Sequence, residues 1–531
     1  MFHADLIIKN ANILTMDKRL EKASALAASF GRIIGVGAEK DFDTLEGPET
    51  TVIHANGQTA LPGFNDSHAH PIYSGACLEL VDLSGVRSLS EFFAALRVRA
   101  SKTPRGEWVE GFGYDEGLFA QGREPTIEEM DQAVPDHPLY CARACLHAGI
   151  ANSMAFRLAG FSESTPNPQG GEFAKSGGKL TGRLLDAASF MFKAKIPLPS
   201  TERLVRMFGE NSRILNSYGI TSTSEMGMIG IPYAFNLLDL IVKRREQSVR
   251  LAVYLDEPHY SNFASTNLPA PLGDEMLRLQ GRKIILDGGG GSGTARVSEP
   301  NLHDGKTGLL YFTQDQLDDL TWQAHSRGHQ VCAHAIGDIA IGMLLKAYRK
   351  ALEKLPAQRL PLRIEHASFC FPPLLEELRG LGAAATLNPG FIYYFGKTHL
   401  RNYGLERVSK EIPLKSMLDM GTLAAIGSDA PVTSANPFPI IYSAITRKTA
   451  DGIECGREQS AGIYEALFAY TAAGAFLTGE EREKGTLSPG KLADIAMLDG
   501  DPLSMGGEPE RILEIKATRT ILGGKTVFEN I

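Results

Sequence analysis

Six side chains scattered along this 531-residue chain are of the types that hold divalent metal and move protons. His68 and His70 stand two apart in LPGFNDSHAH. On an extended strand such residues project to the same face, so both imidazoles can grip one ion. His334 in CAHAIGD and His366 in RIEHAS each follow an apolar run. A lone histidine in that setting is ordinarily a core residue hydrogen-bonded to backbone, but two of them ending consecutive strands point to ligation. Asp429 in AIGSDAP can shape the turn before Pro431, or it can bind a cation and accept a proton from water activated there. Lys283 in RKIILDG is the least direct. An ammonium offers only donors, so by residue type it reads as a strand-end lysine, snorkelling or paired with Asp287. Burial can remove its charge, after which carbon dioxide can convert it to a carbamate with two oxygens for metal. The chemistry this set would perform is hydrolysis. A bound divalent ion lowers the pKa of water to roughly 7, and Asp429 passes the proton to the leaving group.

These residues can cooperate only if strands bring them to one mouth. Eight apolar runs do so on paper: ALPGFNDSHAH, GITSTSE, RLAVYLDE, RKIILDG, HQVCAHA, LRIEHAS, AAATLNP and TLAAIGSDA. They alternate with segments of helical periodicity such as FTQDQLDDLTWQAHSRG. This predicts an α/β chain built on a (β/α)8 TIM barrel over 61–479, with its chemistry at the carboxyl ends of the strands. The segment 71–210 lies between the first and second runs and far exceeds one crossover. It reads as an insertion covering the active site. Both ends of the chain, 1–60 and 480–531, show period-two apolar patterning with Gly and Asn turns. They are expected to pair into one small β-sandwich-like domain.

Composition narrows the class. With 43% hydrophobic and 22% charged residues the chain is of ordinary globular type, and a net charge of −8 argues against a nucleic-acid partner. No apolar run reaches the ~18 residues of a membrane span, and the N-terminus lacks a signal-peptide layout. Six scattered cysteines suit a reducing cytoplasm. The expectation is a cytoplasmic enzyme acting on a small molecule, without nucleic acid or membrane, and possibly homodimeric by analogy.

Two further patterns carry less. Cys141, Cys145 and His147 could seed a structural zinc site, but no fourth ligand is nearby. Gly288, Gly290 and Gly293 spell GxGxxG after a strand. The TARVSEPNLHDG segment beyond them has no helical pattern, so no helix N-terminus would face a pyrophosphate, and a substrate loop is the better reading.

Taken together, LPGFNDSHAH, GITSTSEMG, RKIILDGG, CAHAIGD, RIEHAS and IGSDAPV with Asn436-Pro437 resemble the amidohydrolase superfamily. The closest likeness is to amidohydrolase family 3, the N-substituted formamide deformylase-like branch, over nearly the whole chain. The resemblance implies that His68 and His70 bind a first metal and His334 and His366 a second. Carboxylated Lys283 bridges them, and Asp429 ligates the first metal and shuttles protons. It implies cleavage of an amide, formamide or cyclic amide carbon–nitrogen bond, with zinc favoured and manganese, iron, cobalt or nickel also suited. His147, in LHAGIANS, matches a recurrent family segment and is a candidate for substrate contact. So are Tyr114, grouped with Phe112 and Phe119, and Asn388, which stands where a glutamine is more usual. Tyr393, Tyr394 and Phe395 are further candidates to line an apolar pocket. The chain departs from the family where Asp287 is followed by glycines instead of a Ser-Arg-Thr cluster. The rival readings are a mononuclear deaminase with unmodified Lys283, an ester hydrolase on the same ligands, and a non-catalytic relative.

Overall fold

The eight apolar runs form eight parallel strands, as the computed structural model shows. It describes residues 2–530 except 21, 229, 232 and 357–359. The strands are β1 (Phe64–Ala69), β2 (Ile220–Met226), β3 (Arg250–Leu255), β4 (Leu277–Ile285), β5 (Gln330–Ala335), β6 (Arg363–His366), β7 (Ala384–Leu387) and β8 (Ala424–Ile426). Each pairs with its neighbour in sequence order. Strands such as β3, RLAVYL, are buried at every position, because a parallel barrel is covered on both faces. That is why they read as continuous apolar runs.

The barrel closes between β8 and β1 through specific contacts at the strand ends. Asp66 accepts hydrogen bonds from Ser428 N (2.8 Å) and Ser428 Oγ (2.5 Å), and Asp429 N donates to His68 O at 2.6 Å. A Cβ on Gly427 would lie 2.6 Å from His68 Cβ, so only glycine lets the last strand approach the first this closely.

Helix α1 (Pro71–Cys77) packs against α2 (Thr201–Ser217), whose buried Leu204, Val205, Phe208 and Leu215 share the barrel's core cluster. The two ends of the segment 71–210 therefore belong to the helical layer. Between them lies a separate six-stranded sheet running from Val81–Asp82 to Lys179–Asp186, with its own apolar core. Asp115 and Glu116 of this sheet meet Thr398 and Arg401 on α3 (Gly390–Val408), the helix that follows β7. The chain ends make a four-stranded and a six-stranded sheet around one cluster, in which Leu6, Ile8, Leu26 and Ile53 meet Leu487, Ile495 and Ile521. A buried ion pair, Arg250–Asp494 at 2.7 Å, fastens this unit to the barrel. Among the described residues no helix is long and apolar enough to cross a membrane.

Candidate metal centre

Four imidazoles line up at the carboxyl ends of the strands. His70 lies 5.7 Å from His68, His68 4.5 Å from His366, and His366 4.5 Å from His334, ring centre to ring centre. His68 ends β1, while His70 caps α1 just beyond it. His334 and His366 sit on β5 and β6, and Asp429 follows β8. His366 and Asp429 both take left-handed backbone, φ 72° and 61°, conformations that cost energy away from glycine and gather at functional sites.

His68, His70 and Asp429 each offer one ligand atom, all within 4.8 Å of one another. Hydrogen bonding fixes what those atoms are. His68 Nδ1 donates to Glu365 Oε2 at 2.6 Å, which leaves Nε2 as a bare lone pair. That nitrogen is buried without a hydrogen-bond partner and faces Asp429 Oδ1, a second acceptor, at 3.4 Å. His70 Nε2 is 3.4 Å from the same oxygen. Two buried acceptors aimed at each other need a cation between them, so the donor set fits a divalent metal.

The remaining candidates sit beside this trio. His366 Nδ1 donates to Asn388 Oδ1 (2.8 Å), freeing its Nε2. His334 turns Nε2 toward Gly288 O (3.2 Å), so its Nδ1 is the free nitrogen. Lys283 on β4 is buried, and burial lowers its pKa against the pull of Glu365 and Asp429. It is not paired with Asp287, which instead accepts from the amides of Ile336, Gly337 and Arg296. Burial also holds His68 and His366 well below the usual histidine range. His70 is the exception. Burial opposes its charge, but hydrogen bonds to Asp429 and Glu225 outweigh burial and lift it to about 9. Burial raises Asp66 to about 7 despite its bonds from Ser428.

A cavity of about 30 Å³ opens onto the cluster, walled by His334, His366 and Asp429 on one side and by Phe391, Phe395 and His147 among others. His147 is held by Asp186, Nδ1 to Oδ1 at 2.9 Å. Asn388 does not line the cavity. It stands behind His366 and donates onward to Gly427 O at 2.8 Å, so it braces the His366 ring where the sequence suggested substrate contact. Tyr114 is likewise removed from the cavity. It is fully buried among Phe92 and Phe119 in the inserted sheet, its hydroxyl on Glu124 at 3.1 Å. Cys141 belongs to that same core, so the three-residue zinc pattern is not assembled. No helix follows the glycine run until Gln314, which removes the dinucleotide pattern as well.

Sequence reasoning missed Asp186, Glu225, His399 and Glu411. Glu225 alone carried a signal, a carboxylate near the carboxyl end of β2. The others come from the insertion and from the region after β7, where no strand-end rule applies.

Residues 51–528 match the model of a family described as the amidohydrolase family. An N-substituted formamide deformylase from Arthrobacter pascens is 28% identical over 99% of this chain and 98% of its own length. A putative amidohydrolase, YtcJ, from Bacillus subtilis is 30% identical over 97% of this chain and 98% of its own. Among solved structures, an uncharacterized metal-dependent hydrolase from Pyrococcus horikoshii aligns with a TM-score of 0.76 and 26% identity, over 94% of this chain and 98% of that one.

Proposed function

The chain belongs to the amidohydrolase family, and on that premise we propose that this metal-dependent hydrolase cleaves a carbon–nitrogen bond, in an amide, formamide or cyclic amide of a small molecule. The observation that carries this reading is the trio of His68, His70 and Asp429, whose ligand atoms converge with no proton between His68 Nε2 and Asp429 Oδ1. His68, His70 and Asp429 would hold one divalent ion and His334, His366 and a carboxylated Lys283 a second. Bound there, such ions supply Lewis acidity to a carbonyl oxygen and acidify water.

The chain's own residues do the rest. Asp429 takes the proton that water gives up as its oxygen joins the carbonyl carbon. It delivers that proton to the nitrogen as the carbon–nitrogen bond breaks, giving an acid and an amine. Its left-handed backbone and the bond from its amide to His68 O hold the carboxylate at the cavity edge. Glu365, Asn388 and Glu225 fix the ring orientations of His68, His366 and His70, as partners of metal-bound histidines do. Lys283 is buried beside these ligands, where an amine that has lost its proton can add carbon dioxide, releasing one proton to form a carbamate. That the Arthrobacter pascens relative is an N-substituted formamide deformylase supports formamides as the first substrates to try.

A second reading, a mononuclear enzyme with unmodified Lys283 that deaminates its substrate, is favoured by the fact that, among the described residues, three of the five histidine and carboxylate candidates form the tight group and His334 and His366 do not join it. Elemental analysis of protein purified without chelator separates the two. Two metals per chain, with a carboxylated Lys283 by intact mass, and turnover of N-substituted formamides are expected. One metal, a bare lysine and release of ammonia from a ring amine would establish the deaminase. No metal after reconstitution with zinc or manganese would end both.

A further inference from the structure

Part of the cavity wall is glycine backbone. Gly289, Gly290 and Gly291 line the cavity, and their carbonyl oxygens are all engaged inside the protein. Gly289 O accepts from Thr294 N (3.0 Å) and Ala295 N (3.1 Å). Gly290 O accepts from Tyr403 Oη (3.0 Å) and Asn402 Nδ2 (3.2 Å), and Gly291 O from Asn402 Nδ2 (3.2 Å). None of these donors lines the cavity. In a trans peptide the N–H points opposite to the preceding carbonyl, so the amides of Gly290, Gly291 and Ser292 turn away from those donors. Among the described residues none of the three amides has an acceptor. Successive unpaired amides in a buried glycine turn form a concavity suited to an anion.

Side chains complete it. His399 lines the same cavity, its Nδ1 donating to the buried Glu411 (2.8 Å), so its Nε2 can donate to a carboxylate only in the doubly protonated ring, whose charge Glu411 would balance. A Cβ on Gly290 would come within 3.2 Å of that ring, and a Cβ on Gly291 within 2.9 Å of Arg143 Nη1. Arg143 is fully buried and clamped by Asp115 and Glu116, so it cannot give way. Among the described residues Asp429 is the only acidic side chain in the lining. The end of the cavity away from the metal ligands therefore presents hydrogen-bond groups and no opposing carboxylate.

We propose that the Gly289–Ser292 turn, with His399, is a carboxylate cradle, and that the substrate is an amide carrying a carboxylate near the bond to be cut. This rests on the amide-hydrolysis reading above for the word amide, but the cradle itself can be tested by binding alone.

The test compares N-formyl-L-leucine with its neutral counterpart N-formyl-L-leucinamide by titration calorimetry on the metal-reconstituted protein. Two variants are included, Gly291→Ala and His399→Gln, with thermal unfolding to show that each is folded. The acid is expected to bind roughly tenfold or more tightly than the amide, the size of one charge-assisted hydrogen bond, and either substitution should reduce that ratio to near one. Equal affinity in the wild type, or binding of neither probe, overturns the cradle. So does an acid preference that survives both substitutions, because it would place the carboxylate on the metal ligands. Turnover is scored separately. Hydrolysis of both probes without acid preference removes the cradle and leaves the reaction. Acid preference without hydrolysis removes the reaction and leaves the cradle.

Discussion

The two walls of the cavity are built by opposite means. The barrel wall presents side chains, and the histidines on it and just behind it are braced by buried polar groups: His366 by Asn388, and behind it His68 by Glu365 and His70 by Glu225. The facing wall presents glycine backbone and aromatic rings, although its histidines too are braced by buried carboxylates, His147 by Asp186 and His399 by Glu411. The difference follows from charge. A buried cation needs its ligands held in one tautomer and one direction, and removing a brace leaves a buried charge or lone pair uncompensated. The barrel wall should thus be costly to alter, and the facing wall should change preference more than stability.

The largest effect is expected on the barrel wall. Asp429→Asn keeps an oxygen for metal but cannot carry the proton, and kcat on a formamide should fall by about 10³-fold, within the usual range for loss of a general acid–base. Elemental analysis should still find metal, and near-normal kcat would remove the shuttle. Next comes Glu365→Gln. Glu365 lies 3.0 Å from the buried Arg363 as well as on His68, so neutralising it leaves the guanidinium charge with only the neutral acceptors Tyr254 Oη, Ser67 O and Thr386 Oγ1. Breaking such a pair costs about 3–5 kcal/mol, to be read from urea unfolding of the metal-free protein. A loss under about 1 kcal/mol, the scale of an exposed pair, would show that Arg363 finds other partners. Asn388→Leu should cost less, about 10–100-fold in metal affinity, through a freed His366 ring. Unchanged affinity would return Asn388 to the substrate-contact role.

Proton competition sharpens the contrast within the barrel wall itself. With its pKa lifted to about 9 by Asp429 and Glu225, His70 is protonated near neutrality, whereas burial keeps His68 and His366 neutral. Metal must displace the His70 proton. Affinity should therefore rise with pH through the range below about 9, by up to roughly tenfold per unit, and level off above it. Calorimetry in buffers of different ionisation heat should find about one proton released per first ion bound. A pH-independent affinity would mean that His70 is not a ligand.

Much of this is legible in the sequence, and for a physical reason. The strands are buried on both faces, so they appear as apolar runs, and the residue ending each run is by geometry at the barrel mouth. His68, His334, His366 and Asp429 are readable for that reason. The rest depends on pairs distant in the chain, such as His68 with Glu365 or Arg143 with Asp115, which no local pattern announces. Gly289 to Gly291 read as a loop for substrate. That the amides of Gly290, Gly291 and Ser292 are left unpaired is visible only where Asn402 and Tyr403 hold the carbonyls of Gly290 and Gly291.

Tyr114 marks where the sequence misleads about the insertion, and it gives the smallest and most discriminating test. Alternation along Val109–Tyr114 cannot say which side of the strand faces the barrel, because the inserted sheet has an apolar cluster on each face. The structure buries Tyr114 beside Phe92 and Phe119, with its hydroxyl on Glu124, and Glu124 retains Arg183 at 2.8 Å. Tyr114→Phe therefore removes one hydrogen bond and leaves the packing. It should cost about 1 kcal/mol of stability, with KM and kcat for any formamide unchanged. Loss of the brace on Glu124 would be felt inside the insertion and stop there, since Asp115 and Glu116, which tie that sheet to α3 through Thr398 and Arg401, both keep Arg143. A raised KM with unaltered thermal unfolding would reverse the assignment, making the insertion's core part of the substrate site and erasing the distinction between the cavity's two walls.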